Sequence, residues 1–240
     1  AAPATEHSEL DDLRNLFASA STHETKDANA PNKHEQPPPR PEPKRFAAFV
    51  SHYKAEAAME ARYLTQELEA TLGRDVFLDS DDLHDLTRLK QAVIESDVLL
   101  VLQSAHILER PWCLLEIVHA RRLKTPIITV EIQNGNFDVD KSLAYVANIE
   151  QIMGHENPSG LELLYEQLGE DLSELKEACT ETLIAYKQSS TKLVWNPNAA
   201  DPIMIACLRD IIDEMARVCD NTLAWKGHRE FTTTKRKNSL

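Results

Sequence analysis

The chain has 240 residues, 42% of them hydrophobic, enough to build the core of one ordinary domain with flanking segments. Its net charge of −13 argues against nucleic-acid partners, which need a positive surface, and against anionic membranes. No apolar run approaches the roughly 20 residues of a membrane-spanning helix, and no signal-peptide core lies near the start. We therefore expect a cytoplasmic protein, and leave open whether the chain, which begins with Ala1, is a piece of a longer one.

The cysteines predict buried thiols in a reducing compartment. None forms a C-x-x-C pair, whereas zinc sites need closely paired ligands, and all lie within apolar helical patterns. We accordingly expect neither a disulfide nor a metal site from Cys113, Cys179, Cys207 and Cys219.

Residues 1–44 have the composition of a disordered tail. Seven of the twelve prolines lie there, and most other residues are Glu, His, Lys, Asn or Ala. Such a segment cannot bury enough apolar surface to offset its chain entropy. We predict that it is disordered.

The pattern changes at Arg45, where short apolar runs begin to alternate with helical periodicity. Gly73 ends the predicted helix 56–72, as glycine does in the left-handed cap position. Gly169 is a candidate break in the predicted helix 161–186. A long loop with a short helix is predicted for residues 134–149. The predicted strands are residues 46–50, 76–78, 98–102, 126–130 and 192–195, and the predicted helices are residues 56–72, 86–94, 112–123, 161–186 and 201–219.

This alternation predicts an α/β fold with a parallel sheet covered by helices on both faces. We expect five strands in the order 2-1-3-4-5. Ligands of such sheets bind beyond the carboxyl ends of the strands. The loops that follow Val50, Leu78 and Leu102 should therefore share one rim, where a functional site is expected.

Three segments in order resemble the TIR (Toll/interleukin-1 receptor) family. Residues 49–52 are similar to its first box, residues 76–79 to its second strand with the BB loop, and residues 104–117 to the Trp-Cys-Leu-x-Glu segment of plant-type members. The resemblance implies a flavodoxin-like three-layer sandwich over residues 45–222, followed by a polar tail, 223–240. A long helical stretch at about 158–188 departs from the usual pattern and resembles an insertion found in some algal members.

The resemblance also implies an activity. Many TIR enzymes cleave the nicotinamide–ribose bond of NAD⁺ as a substrate, without a cofactor, and carry a W-x-x-x-E motif whose glutamate is catalytic. Here the motif is Trp112 and Glu116. Neutral nicotinamide needs no general acid to leave, so one carboxylate that stabilises a ribosyl cation can suffice. The plainer interpretation is a solvent-facing helix glutamate, with Trp112 covering a helix end.

Further candidate substrate contacts follow the strand ends. They are Ser51, His52, Lys54, Asp79, Ser104 and Trp112. Ser51 and His52 are equally suited to satisfying loop backbone. Lys54 occupies a position where family enzymes often carry Arg, and lysine gives charge without bidentate geometry.

The acidic loop after the second predicted strand is similar to the family's BB loop, which packs against a neighbouring protomer. This implies a homo-oligomer, with other TIR proteins as further candidate partners. Its carboxylates also suit Mg²⁺, but we interpret them as a polar loop. The candidate interface residues are Asp81, Asp82, Leu83 and His84.

Two functions stay open from the sequence. One is an NAD⁺ nucleosidase in innate-immunity signal transduction, whose product is either ADP-ribose or a cyclic form. The other is a non-catalytic adaptor that uses the same surfaces only for TIR–TIR contacts. The W-x-x-x-E motif favours the enzyme, although some adaptors keep the glutamate.

Overall fold

The structure is a computed structural model, and the residues it describes are 43–78 and 86–219, without the side chain of Leu86. Strands and helices alternate along this part of the chain. The strands are β1 (Phe49–Ser51), β2 (Phe77–Leu78), β3 (Leu99–Gln103), β4 (Ile127–Ile132) and β5 (Val194–Trp195). The α-helices are α1 (Lys54–Leu72), α2 (Leu86–Ile94), α3 (Pro111–Arg122), α4 (Val139–Ala147), α5 (Ile149–Glu156), α6 (Pro158–Leu168), α7 (Ser173–Gln188) and α8 (Asp201–Val218).

The sheet has the predicted order, β2-β1-β3-β4-β5, and every pair of neighbouring strands is parallel. The residues of β1 and β3 are all buried, as expected of central parallel strands covered on both faces. The first strand begins at Phe49 rather than at residue 46, because Phe46 makes only an isolated bridge to Ser96. The predicted fold class is confirmed.

Two apolar clusters fill the space on either side of the sheet. Alternate residues of one strand enter different clusters, so Phe49 packs with α2, α3 and α7, whereas Val50 packs with α1 and α8. The chain is therefore a three-layer sandwich of flavodoxin-like type, and the face of the sheet to which a residue belongs follows from its position along the strand.

The stretch from 134 to 188 is more helical than predicted. Helix α4 begins after Asp138, whose carboxylate accepts hydrogen bonds from the Asp140 and Lys141 amides, and α5 follows it directly. The predicted helix 161–186 is two helices. Gly169 ends the first of them at φ +91°, a backbone conformation that glycine tolerates.

Helix α3 is covered on all sides over most of its length. It packs against the sheet, α2, α6 and α7, and nine of its twelve residues are buried. Arg121 forms ion pairs with Glu177 and Glu181 of α7, and Arg122 pairs with Glu174. The helices between 158 and 188 therefore form an outer wall over α3.

The predicted tails lie outside the described residues, apart from Pro43 and Lys44 of the first. The predicted disorder of residues 1–44 and the limits of the domain thus stay predictions. In the part of the chain that the structure covers, no helix is both long and apolar enough to cross a bilayer.

His119 is a buried titratable group of α3 that should couple folding to pH. It is 4% exposed, and its Nε2 makes no hydrogen bond within the described residues. The pKa of His119 is lowered to about 4, mainly by burial, with Lys90 and Arg122 adding to this effect and Glu174 partly opposing it. The folded chain thus keeps the imidazole neutral at pH values where the unfolded chain binds a proton.

We expect the free energy of unfolding to fall as pH falls from 6.5, the ordinary pKa, towards 4, because only the unfolded state gains this proton. In His119→Gln the free energy of unfolding should fall less steeply with pH, by up to about 1.4 kcal/mol per pH unit. Urea unfolding across this range measures it, with exposed His155→Gln as control. Equal pH dependence in the parent and His119→Gln would contradict this assignment.

Candidate functional site

Polar side chains collect at the carboxyl ends of β1 and β3, as predicted for Ser51, His52 and Ser104. Ser51, Gln103 and Ser104 are buried, and His52 is half-buried. Ser51 Oγ and Gln103 Oε1 make no hydrogen bond to any residue that the structure describes. A buried polar atom without a hydrogen bond destabilises the folded chain. They suit a site where a ligand supplies the missing partner.

The strand register places these groups on the side of α3. Ser51 follows Phe49 by two residues and Gln103 follows Val101 by two, and both Phe49 and Val101 pack in the cluster that contains α3. The Cys113 thiol donates to the His52 carbonyl at 3.5 Å. This contact fixes the first turn of α3 over the end of β1.

Glu116 lies one turn beyond Cys113 on the same face of α3. It is 2% exposed, so the interpretation as a solvent-facing glutamate is wrong. The reason is the outer wall of α6 and α7, which leaves α3 without a solvent face. Helical side chains lean towards the helix N-terminus, and the carboxylate of Glu116 therefore leans towards the rim.

Trp112 occupies the first turn of α3, behind Pro111 at the helix start. Its ring is half-buried and packs against the α3-side core. In this position the Trp112 ring covers the start of α3, which is a structural role. It leaves part of the ring exposed at the same end of the sheet as Ser104.

Burial lowers the pKa of His52 below its ordinary value, with a contact to the Val50 carbonyl opposing this and Lys54 adding to it. The imidazole is therefore neutral at pH 7. Lys54 itself is exposed at the first turn of α1. Arg110 stacks on the Tyr53 ring, 4.9 Å from its centre, and brings a guanidinium to the same edge.

Glu56 and His106 tie α1 to the loop after β3. The Glu56 carboxylate accepts a hydrogen bond from the His106 amide at 3.0 Å and contacts His106 Nδ1. Partial burial would raise the pKa of Glu56, but the hydrogen bonds from His106 outweigh it and hold that pKa below its ordinary value. Sequence reasoning missed this pair, since its members are fifty residues apart.

The rim is incomplete among the described residues. Asp79 and the candidate interface residues Asp81, Asp82, Leu83 and His84 lie outside them, in the loop that follows β2. A cavity of about 900 Å³ borders the loop after β3 at His106 and Glu109, but Glu116 does not line it. Ser51, His52 and Ser104 thus lie at one end of the sheet and Glu116 lies one turn of α3 beyond the Cys113 contact, but the described residues enclose no nucleotide-sized pocket around the glutamate.

The parallel sheet and its polar rim define a flavodoxin-like α/β domain. Residues 48–164, just under half of the chain, match the TIR_2 family model, described as a TIR domain. The match supports a TIR domain over these residues, as the three segments of sequence predicted.

Two further comparisons add little. The chain is similar to the TIR domains in a structure of the activated Roq1 resistosome directly recognizing the pathogen effector XopQ. The identity is 16% and the TM-score 0.47, over 71% of this chain and 99% of that chain. That likeness is too weak to carry an argument. No curated protein sequence matches the chain.

Replacing Glu56 should loosen the loop after β3. In Glu56→Ala the His106 amide loses its charged acceptor, a hydrogen bond worth about 1.5–3 kcal/mol, so its hydrogen exchange should speed up by about tenfold or more. Site-resolved amide exchange by NMR measures this. Glu60→Ala, on the same helix, is the matched control. Unchanged exchange at His106 would show that the tie does not hold the loop.

Proposed function

We propose that this TIR domain is an NAD⁺ nucleosidase of signal transduction, a glycohydrolase or cyclase that is active on self-assembly. The observation that carries the proposal is the burial of Glu116. A carboxylate that is 2% exposed is rare in a protein core unless something compensates it. Its helix begins at the polar ends of β1 and β3, where Ser51 and Gln103 also hold buried polar atoms.

The chemistry needs a fixed negative charge. Cleavage of the nicotinamide–ribose bond releases neutral nicotinamide and leaves positive charge on the ribose, so a nearby carboxylate stabilises the transition state. The close packing of α3 preorganises the Glu116 side chain, which therefore has little freedom to lose when charge develops. Water would then give ADP-ribose, and an internal nucleophile of the substrate would give a cyclic product.

The remaining rim groups are suited to holding the substrate. Ser51, His52 and Ser104 offer neutral hydrogen-bonding groups for the ribose hydroxyls, and Lys54 offers a positive charge for the diphosphate. The exposed part of Trp112 is an apolar surface for a ring of the substrate. Asp79 is assigned to the same rim because it directly follows β2.

Self-assembly would complete this site. Residues 79–85 connect β2 to α2, and we propose that Asp81, Asp82, Leu83 and His84 contact a second protomer at the rim. A pocket closed only in the assembly explains why the described residues of one chain leave Glu116 without an enclosing cavity. We include in the same proposal that NAD⁺ is the substrate and that the domain acts in innate-immune signalling in the cytoplasm.

A non-catalytic adaptor is the alternative. It is favoured by the open rim, since no described residue group encloses a nucleotide beside Glu116. In that case Glu116 would serve the packing of α3, and TIR–TIR contacts would be the whole function. The two proposals differ in the fate of NAD⁺.

Glu116→Gln separates them. The substitution keeps the shape and removes the charge, so turnover of NAD⁺ should fall by about 10²–10³ with little change in apparent affinity. The fold should survive, because a neutral amide carries a smaller desolvation cost than a buried charge. Nicotinamide release and thermal melting measure the two effects.

Glu166→Gln, an exposed glutamate on α6, is the matched control and should keep the parent rate. If Glu116→Gln turned over NAD⁺ as fast as the parent, Glu116 would not be the catalytic group. A melting temperature near the parent's is required for the comparison, and circular dichroism at the assay temperature verifies it.

The assembly part of the proposal is tested by Leu83→Asp. An apolar residue in an otherwise charged loop suits a protein contact, and a charge there should weaken both oligomerisation and NAD⁺ turnover. Light scattering and nicotinamide release measure them together. The control is Leu123→Asp, at an exposed leucine after α3. Should Leu83→Asp assemble and react like the parent, the loop is not the interface.

A further inference from the structure

The first four of the six residues of β4 have an open edge. β5 pairs only with Glu131 and Ile132, so Ile127–Val130 has no strand beside it on that side within the described residues. The Glu131 amide donates to the Leu193 carbonyl at 2.8 Å, and strand residues two apart point the same way. The amides of Ile127 and Thr129 therefore face this open side.

A groove of about 850 Å³ runs along the open edge. Its floor is the start of β4, with Ile127 and Thr129, and its walls are α7, α8 and residues 189–193, which connect α7 to β5. Because helices flank the edge on both sides, the edge of a second folded sheet cannot approach it. The groove instead suits an extended peptide that adds to the sheet through its backbone.

The charges of the groove select a basic peptide. Its cations are already engaged: Arg121 pairs with Glu181, Arg217 pairs with Glu214, and Lys192 bonds the Tyr186 carbonyl and covers its ring. Asp210 and Asp213, both exposed on α8, have no ion-pair partner in the described part of the chain. The groove thus keeps uncompensated negative charge.

The chain carries such a peptide a few residues after the end of α8. Val218 lines the groove and Cys219 lies 3.9 Å from the Asp97 carbonyl, so the chain leaves α8 at the end of the groove where β4 begins. Residues 226–237 contain five cations and one carboxylate around a run of three threonines, a residue that suits strands. The cations are Lys226, Arg229, Lys235, Arg236 and Lys237.

We propose that the segment 226–237 of this chain binds the groove between α7 and α8, with its backbone bonded to Ile127 and Thr129 of β4 and its cations beside Asp210 and Asp213. The reach is sufficient. Six residues separate Cys219 from Lys226 and extend to about 20 Å, while the open edge is about 10–13 Å long. The covalent tether also supplies an effective concentration of about millimolar. The proposal is independent of any NAD⁺ chemistry at Glu116.

Amide hydrogen exchange on the full chain tests it. In the parent, Ile127 and Thr129 should exchange about tenfold or more slowly than in the double variant Lys235→Glu, Arg236→Glu, which repels the segment from the groove. The amides of Ile128 and Val130 point towards β3 and should not change. Arg62→Glu with Arg88→Glu alters the net charge equally on α1 and α2, and should leave all four amides at the parent rate.

Charge exchange provides the second measurement. Adding Asp210→Lys and Asp213→Lys to the reversed segment should restore slow exchange at Ile127 and Thr129. Equal exchange in the parent and the reversed variant, or no restoration in the charge-exchanged chain, would overturn the proposal. Protection that disappears on tenfold dilution would overturn it too, because the occupant would then be a second molecule.

Discussion

The enclosure of α3 is the constraint on which the candidate site depends. The sheet covers one side of this helix and α2, α6 and α7 cover the others, so that nine of its twelve residues are buried. A glutamate near the start of such a helix has few conformations available, and Glu116 lies one turn beyond Cys113, whose thiol contacts the end of β1. In the proposed mechanism a more open helix would weaken the stabilisation of a developing cation, because solvent would screen the Glu116 carboxylate.

The sequence predicted the topology because alternation is a local signal. Apolar runs of strand length between helical patterns allow few arrangements, and the observed order β2-β1-β3-β4-β5 is one of them. It missed α5 and the extent of α4, although Asp138 carries a recognisable cap signal. The plainer interpretation of Glu116 as a solvent-facing residue was wrong, because helices α6 and α7 cover α3 and no local pattern reveals this cover.

At the polar ends of β1 and β3, too, local sequence patterns predicted some residues and missed others. Ser51, His52 and Ser104 were identified because strand ends in a parallel sheet meet at one rim. The contact of Glu56 with His106, fifty residues away, required the folded chain. Gln103 was missed because a glutamine at the end of an apolar strand carries no motif, yet its carbonyl oxygen is among the buried polar atoms of the rim.

The most direct test is the rate of nicotinamide release per protomer, measured on the purified parent over a range of protein concentrations. If assembly completes a site around Glu116, the rate per protomer should rise with concentration and level off where light scattering shows that the chain is fully assembled. No release from a chain that is demonstrably assembled would contradict the account, and the domain would then act through contacts alone.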